Sequence, residues 1–128
     1  MDYYKGNKLF GGVFSRDNLP KECGGDKFYI INLNKKHQRG SHWVAVISFD
    51  RCYYFDSFGI YPPPEIETFM KTRGKDIIIS TYRIQALNSI MCGYFCLYII
   101  DEMCKDRKFY EVLLDFDPND FQQNDNLT

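Results

Sequence analysis

The chain has 128 residues, which leaves room for a single domain and little more. Its 45% hydrophobic and 17% aromatic content is enough for a packed core, which excludes a disordered chain. Sixteen basic and 17 acidic residues leave a formal charge of −1, which argues against a strong electrostatic grip on nucleic acid.

Residues 1–27 carry Gly6, Gly11, Gly12, Pro20, Gly24 and Gly25 and read as loop, with room for one short strand or helical turn. Phe28 to Leu33 is a buried strand by composition and length. Asn34 to Gly40 is a polar loop. Trp43 to Phe49 is the most apolar strand and is expected at the centre of a sheet. A turn at Asp50-Arg51 returns the chain antiparallel through Cys52 to Phe55. Ser57 to Pro64, with Gly59 and three consecutive prolines, is a rigid loop. Glu65 to Thr72 fits a short helix with Ile66, Phe69 and Met70 on one side, stopped by Gly74. Ile77 to Ile84 is another strand. Cys92 to Cys104 is the main helix, apolar nearly all round (Tyr94, Phe95, Leu97, Tyr98, Ile99, Ile100, Met103), so it is expected to be buried. Phe109 to Leu114 is a further short helix, and Pro118 to Thr128 is a polar tail expected to fray. Strands, a short helix, a strand and a buried helix make an α+β layout, a mixed or antiparallel sheet packed on the helix that starts at Cys92.

Five cysteines without regular spacing and only two histidines make neither a disulfide framework nor a zinc pattern. No cofactor or metal is expected, and a reducing, intracellular setting is the natural reading. Met1 is followed by Asp-Tyr-Tyr-Lys and not by a signal region, and the apolar runs are too short to cross a bilayer, so no membrane partner is expected.

Four residues, His42, Asp56, Gln85 and Cys92, carry the types that thiol-protease chemistry needs. A sulfur nucleophile needs a base, the base an orienting carboxylate, and the developing oxyanion a donor. Cys92 opens a helix, whose unpaired N–H groups and roughly half a positive charge favour a thiolate. Asn88 and Ser89 precede it as candidate caps. Gly93 lets a substrate backbone come close to the sulfur. Cys96 and Cys104 read instead as small buried core residues, and His37 as a solvated loop residue. Trp43 is either a wall of the cleft or core, and Tyr53, Tyr54, Phe55 and Phe58 read as core and loop packing. The basic clusters at Lys35, Lys36 and Arg39 and at Lys105, Arg107 and Lys108 read as solvated patches.

Whether His42 and Asp56 can meet depends on hairpin register. A two-residue loop pairs Phe49 with Cys52 and sends the two side chains to opposite faces. A three-residue loop, Phe49 to Arg51, pairs Ser48 with Cys52, so that Asp56 opposes Val44 on the face His42 shares, about 7–8 Å away. The longer loop is expected.

The spacing Gln85-x-x-Asn88-Ser89-x-x-Cys92-Gly93-x-Phe95-Cys96, the His42-Trp43 pair and the segment Phe55-Asp56-Ser57-Phe58-Gly59 resemble the adenovirus-type (adenain-like) cysteine endopeptidases and, more broadly, the ubiquitin-like-protein protease clan. Gly12 to Pro20 looks like the N-terminal loop of that group. The whole set is most similar to the proteases of Polinton/Maverick elements and virophage-like viruses. The resemblance implies a papain-related α+β fold, with His42 as base, Asp56 as its orienter, Gln85 as oxyanion donor and Cys92 as nucleophile. It also implies cleavage near glycine, in Gly-Gly or Gly-x-Gly contexts, a role in capsid-protein maturation and an association with virions. Aspartate at position 56 matches the ubiquitin-like-protein proteases, where adenain carries a glutamate. The adenovirus enzyme uses DNA and a peptide as activators; near-neutral charge argues against DNA here, and an activating peptide stays open. The expectation is a monomeric endopeptidase acting on polypeptide. An isopeptidase for ubiquitin-like modifiers would use the same four residues, and a non-catalytic binding domain of degenerate protease fold is the third reading.

Overall fold

A computed structural model describes residues 7–34, 42–84 and 92–116. Five strands form one sheet in chain order: β1 (Phe10–Ser15), β2 (Lys27–Asn32), β3 (Trp43–Ser48), β4 (Cys52–Phe55) and β5 (Ile77–Ile79). The central pairs β2–β3 and β3–β4 are antiparallel, and the outer pairs β1–β2 and β4–β5 are parallel, so the sheet is mixed. Helix α1 (Pro64–Lys71) bridges β4 and β5, and α2 (Cys92–Cys104) and α3 (Phe109–Leu113) follow.

The unbroken apolar runs of β2 and β3 have a simple cause: both faces of the sheet are covered. On one face Phe28, Ile30, Ala45, Ile47 and Phe55 pack against Phe95, Ile99, Ile100 and Met103 of α2 and Phe109 and Val112 of α3. On the other, Tyr29, Ile31, Val44, Val46 and Tyr54 pack against Ile66, Phe69 and Met70 of α1. Each fully buried large side chain contributes about 1.5–3 kcal/mol. Truncating one such as Phe95, which is fully buried under the sheet, would cost about 3–5 kcal/mol.

α1 starts at Pro64, whose missing N–H costs nothing in a first turn. Glu65 and Glu67 sit near its positive end and Lys71 near its negative end. Beyond the helix Gly74 turns at φ 73°, which favours glycine. The loop at the β3–β4 hairpin is the three-residue form: Ser48 pairs with Cys52, and Phe49 N–H bonds to Arg51 O at 2.9 Å.

Three expectations need correction. β5 ends at Ile79 and does not reach Ile84. Its partner β4 is only four residues long, and past Tyr54 the chain turns through Asp56–Gly59, leaving 80–84 no regular ladder. α2 is buried on one side only. Cys92, Phe95, Cys96, Ile99, Ile100 and Met103, at spacings of three and four, face the sheet, while Tyr94 is 58% exposed, because α2 lies in an outer layer. Cys104, at the end of α2, is exposed and not in the core. The expected tail Pro118 to Thr128 and His37 lie outside the described residues. Among the described residues no helix is long and apolar enough to cross a membrane.

Candidate active site

Three of the four predicted residues converge at one end of the sheet. His42 stands just before β3, where its carbonyl accepts a bond from Leu33 N–H at 2.9 Å and so ties it to the end of β2. Asp56 follows β4 directly. Continuing the Ala45–Phe55 register by one step sets Asp56 opposite Val44, on the side His42 shares. The two side chains meet: His42 Nε2 lies 2.8 Å from Asp56 Oδ1. Cys92 is the first residue of α2, and its sulfur accepts the Trp43 backbone N–H at 3.3 Å. One turn further on, Cys96 Sγ donates to Trp43 O at 3.4 Å. Both sides of Trp43's backbone are therefore held by cysteines of α2, which docks the start of β3 on the start of the helix.

The electrostatics fit this geometry. Asp56 is fully buried and His42 is 14% exposed in its side chain. Burial works against the imidazolium, but hydrogen bonds to Asp56 and Cys92 and their negative charges outweigh it and hold His42 at about 9. Burial would likewise push the Cys92 thiol up; the hydrogen bond to His42, the Trp43 N–H and the imidazolium charge outweigh that and leave it below its usual value. Each group thus favours the charged form of the other. With Nε2 taken by Asp56, Nδ1 is the ring nitrogen left to face Cys92. Cys96 is fully buried and its thiol is raised well above the ordinary range, so it stays protonated and donates.

Trp43 packs partly against the α2 side of the core. Its Cδ1 lies 3.7 Å from where a Cβ on Gly93 would stand, so tryptophan and glycine form adjoining surfaces beside the sulfur. Gln85 lies outside the described residues, as do Asn88 and Ser89. A cleft of about 720 Å³ opens at the far end of the sheet, lined by Phe49, Tyr53, Ile78, Phe109 and Tyr110; His42, Asp56 and Cys92 do not line it. Among the described residues no cluster of His, Cys, Asp and Glu could hold a metal ion.

Sequence reasoning missed two contributors. One is the Trp43 backbone N–H on the sulfur, which carries no side-chain signal. The other is Phe58, assigned to packing: its ring stacks on His42 with centroids 4.4 Å apart and planes 10° from parallel. Its N–H also donates to Asp56 Oδ1 at 2.8 Å. Asp-Ser-Phe-Gly did signal a turn in which an aspartate accepts from the residue two positions on, but nothing local pointed the phenyl ring at a histidine.

A mixed sheet with a helix beneath its central strand, a thiol at the start of that helix and a histidine at the start of that strand form a papain-related α+β fold. Among solved structures, the chain is similar to the crystal structure of the selenomethionine ASFV pS273R protease, with a TM-score of 0.53 and 20% identity over 66% of this chain. The match spans 37% of the length of that protein. No protein-family model matches the chain, and no curated protein does.

Proposed function

We propose that the chain is a cysteine-type endopeptidase in which Cys92 is the nucleophile, His42 the general base and acid, and Asp56 the orienter of His42. The observation that carries this reading is the continuous set of contacts from Asp56 Oδ1 to His42 Nε2 at 2.8 Å and from His42 to a thiol that also receives the Trp43 N–H. The thiolate of Cys92 attacks a peptide carbonyl, and the oxyanion is held by the Cys92 N–H at the start of α2 and, by the motif spacing, by Gln85. His42 then gives its proton to the leaving amine. A water, deprotonated by His42, hydrolyses the thioester and frees Cys92.

The motif resemblance, with Trp43 and Gly93 adjoining beside the sulfur, supports a preference for glycine beside the scissile bond, in Gly-Gly or Gly-x-Gly contexts. The motif resemblance, and a structural neighbour that is a protease of ASFV, support maturation of viral or transposon capsid precursors as the task. A peptide library that includes Gly-x-Gly sequences tests this, run beside probes ending in a ubiquitin-like C-terminus, with Cys92→Ala as control. Cleavage of the peptides that Cys92→Ala abolishes is the expected outcome. Reaction with the modifier probes alone would make the enzyme an isopeptidase. Retained cleavage by Cys92→Ala would end the assignment.

A further inference from the structure

We propose that Phe58 is a positioning residue: its ring fixes the plane of the His42 imidazole, while its backbone N–H selects the carboxylate oxygen that the imidazole uses. The inference rests on the Cys92–His42–Asp56 reading above and adds to it a residue that acts through His42 and Asp56.

The ring contact is a near-parallel stack, centroids 4.4 Å apart with 10° between planes. An imidazole is free to turn about its Cβ–Cγ bond unless something flat blocks it. Here any large rotation would drive a ring edge into the phenyl face. The stack thus keeps Nε2 on Asp56 and leaves Nδ1 for the sulfur. It also lays a ring that becomes positive on the negative face of an aromatic one, an arrangement that favours the cation. Phe58 is half-buried and belongs to neither of the two packed clusters that line the sheet. Its ring contact is with His42.

The backbone contact acts on the other partner. Asp56 Oδ1 accepts two hydrogen bonds, from His42 Nε2 and from Phe58 N, each 2.8 Å. Asp56 Oδ2 is buried with no partner among the described residues. One carboxylate oxygen therefore carries all the orientation, and Phe58 N–H determines which one. The turn that places this N–H is itself anchored. Gly59 N–H bonds to Asp56 O at 2.8 Å, and Ile84 N–H bonds to Ser57 O at 2.9 Å.

The test is the pH dependence of Cys92 alkylation by iodoacetamide in the wild type, Phe58→Leu and Phe58→Tyr. Leucine keeps the backbone N–H and the apolar bulk but removes the aromatic face. The expected result is thiolate formation at higher pH in Phe58→Leu, with alkylation at neutral pH slowed about 2- to 5-fold, and a wild-type profile in Phe58→Tyr. Superimposable profiles for all three proteins would overturn the proposal. Alkylation needs no peptide, so the two readings separate. A shifted Leu profile in a protein that cleaves no peptide would sink the peptidase assignment and keep the role of Phe58. Should the leucine variant not fold, proton NMR of the wild type decides: His42 ring protons displaced upfield by the phenyl ring current support the stack, and undisplaced resonances refute it.

Discussion

Asp56→Asn removes a charge and almost no volume. The amide oxygen can still accept from Phe58 N–H, which now bonds Oδ1 at 2.8 Å, so the turn and the fold should survive. What is lost is the attraction between carboxylate and imidazolium. With charge centres about 4 Å apart and an effective dielectric of about 20, that attraction is about 4 kcal/mol. The histidine itself shows the same attraction. It is held at about 9, above its ordinary value, because the hydrogen bonds to Asp56 and Cys92 and their negative charges outweigh the opposing effect of burial. Cys92 shares in that increase, and the cost of burying the carboxylate offsets part of the Coulomb attraction, so a loss of about 2–3 kcal/mol in transition-state stabilisation, about 30- to 150-fold in kcat/KM at neutral pH, is expected. Steady-state cleavage of a peptide substrate measures the loss, and iodoacetamide alkylation of Cys92 should slow in parallel. Thermal stability should fall as well, though by less than the lost attraction, because a neutral amide is easier to bury than a carboxylate. An asparagine variant with kcat/KM within about threefold of the wild type would refute the idea that Asp56 holds and charges His42.

The pH profile follows from the directions of the two shifts. The ion pair needs a deprotonated thiol and a protonated imidazole; because the thiol is lowered and the histidine raised, kcat/KM should climb below the usual thiol range and fall again around pH 9. A profile with one ascending limb at an ordinary imidazole value near ~6.5 would contradict it. In Cys92→Ala the hydrogen bond and negative charge of the sulfur are gone, so NMR titration should place His42 below about 9. Gly59→Ala puts a Cβ at φ 71° and 2.6 Å from Thr81 O, in the turn that holds Asp56. It should cost about 2 kcal/mol or more in denaturant unfolding, and an unchanged midpoint would show that the turn tolerates side chains. Gly93→Ala meets only Trp43 Cδ1 at 3.7 Å, so chemical denaturation should show a gain of about 0.5–1 kcal/mol from better helix propensity. The added methyl should nevertheless slow peptide cleavage, and undiminished kcat/KM would show that the substrate does not pass over Gly93.

Much of this protein is written in short-range pattern. The apolar run Trp43 to Ser48 marks the central strand, Cys92 to Cys104 the main helix, and the loop at Phe49 to Arg51 the register that lets Asp56 reach His42. These follow from chain stiffness, side-chain alternation and turn length, which neighbouring residues decide among themselves. Other features belong to tertiary structure alone. The glycine-bearing Phe10–Ser15 becomes a strand because β2 offers it a parallel edge. Tyr94 and Cys104 are exposed because α2 has the sheet on one side only. Phe58 reaches His42 because a turn anchored to Ile84 aims it there. The triad is the sharpest case. Local pattern supplied a thiol at a helix start and an imidazole at a strand start, but distance along the chain says nothing of distance in space. The packing of α2 under β3, driven by burial of Phe95, Ile99 and Ile100, brings the two together.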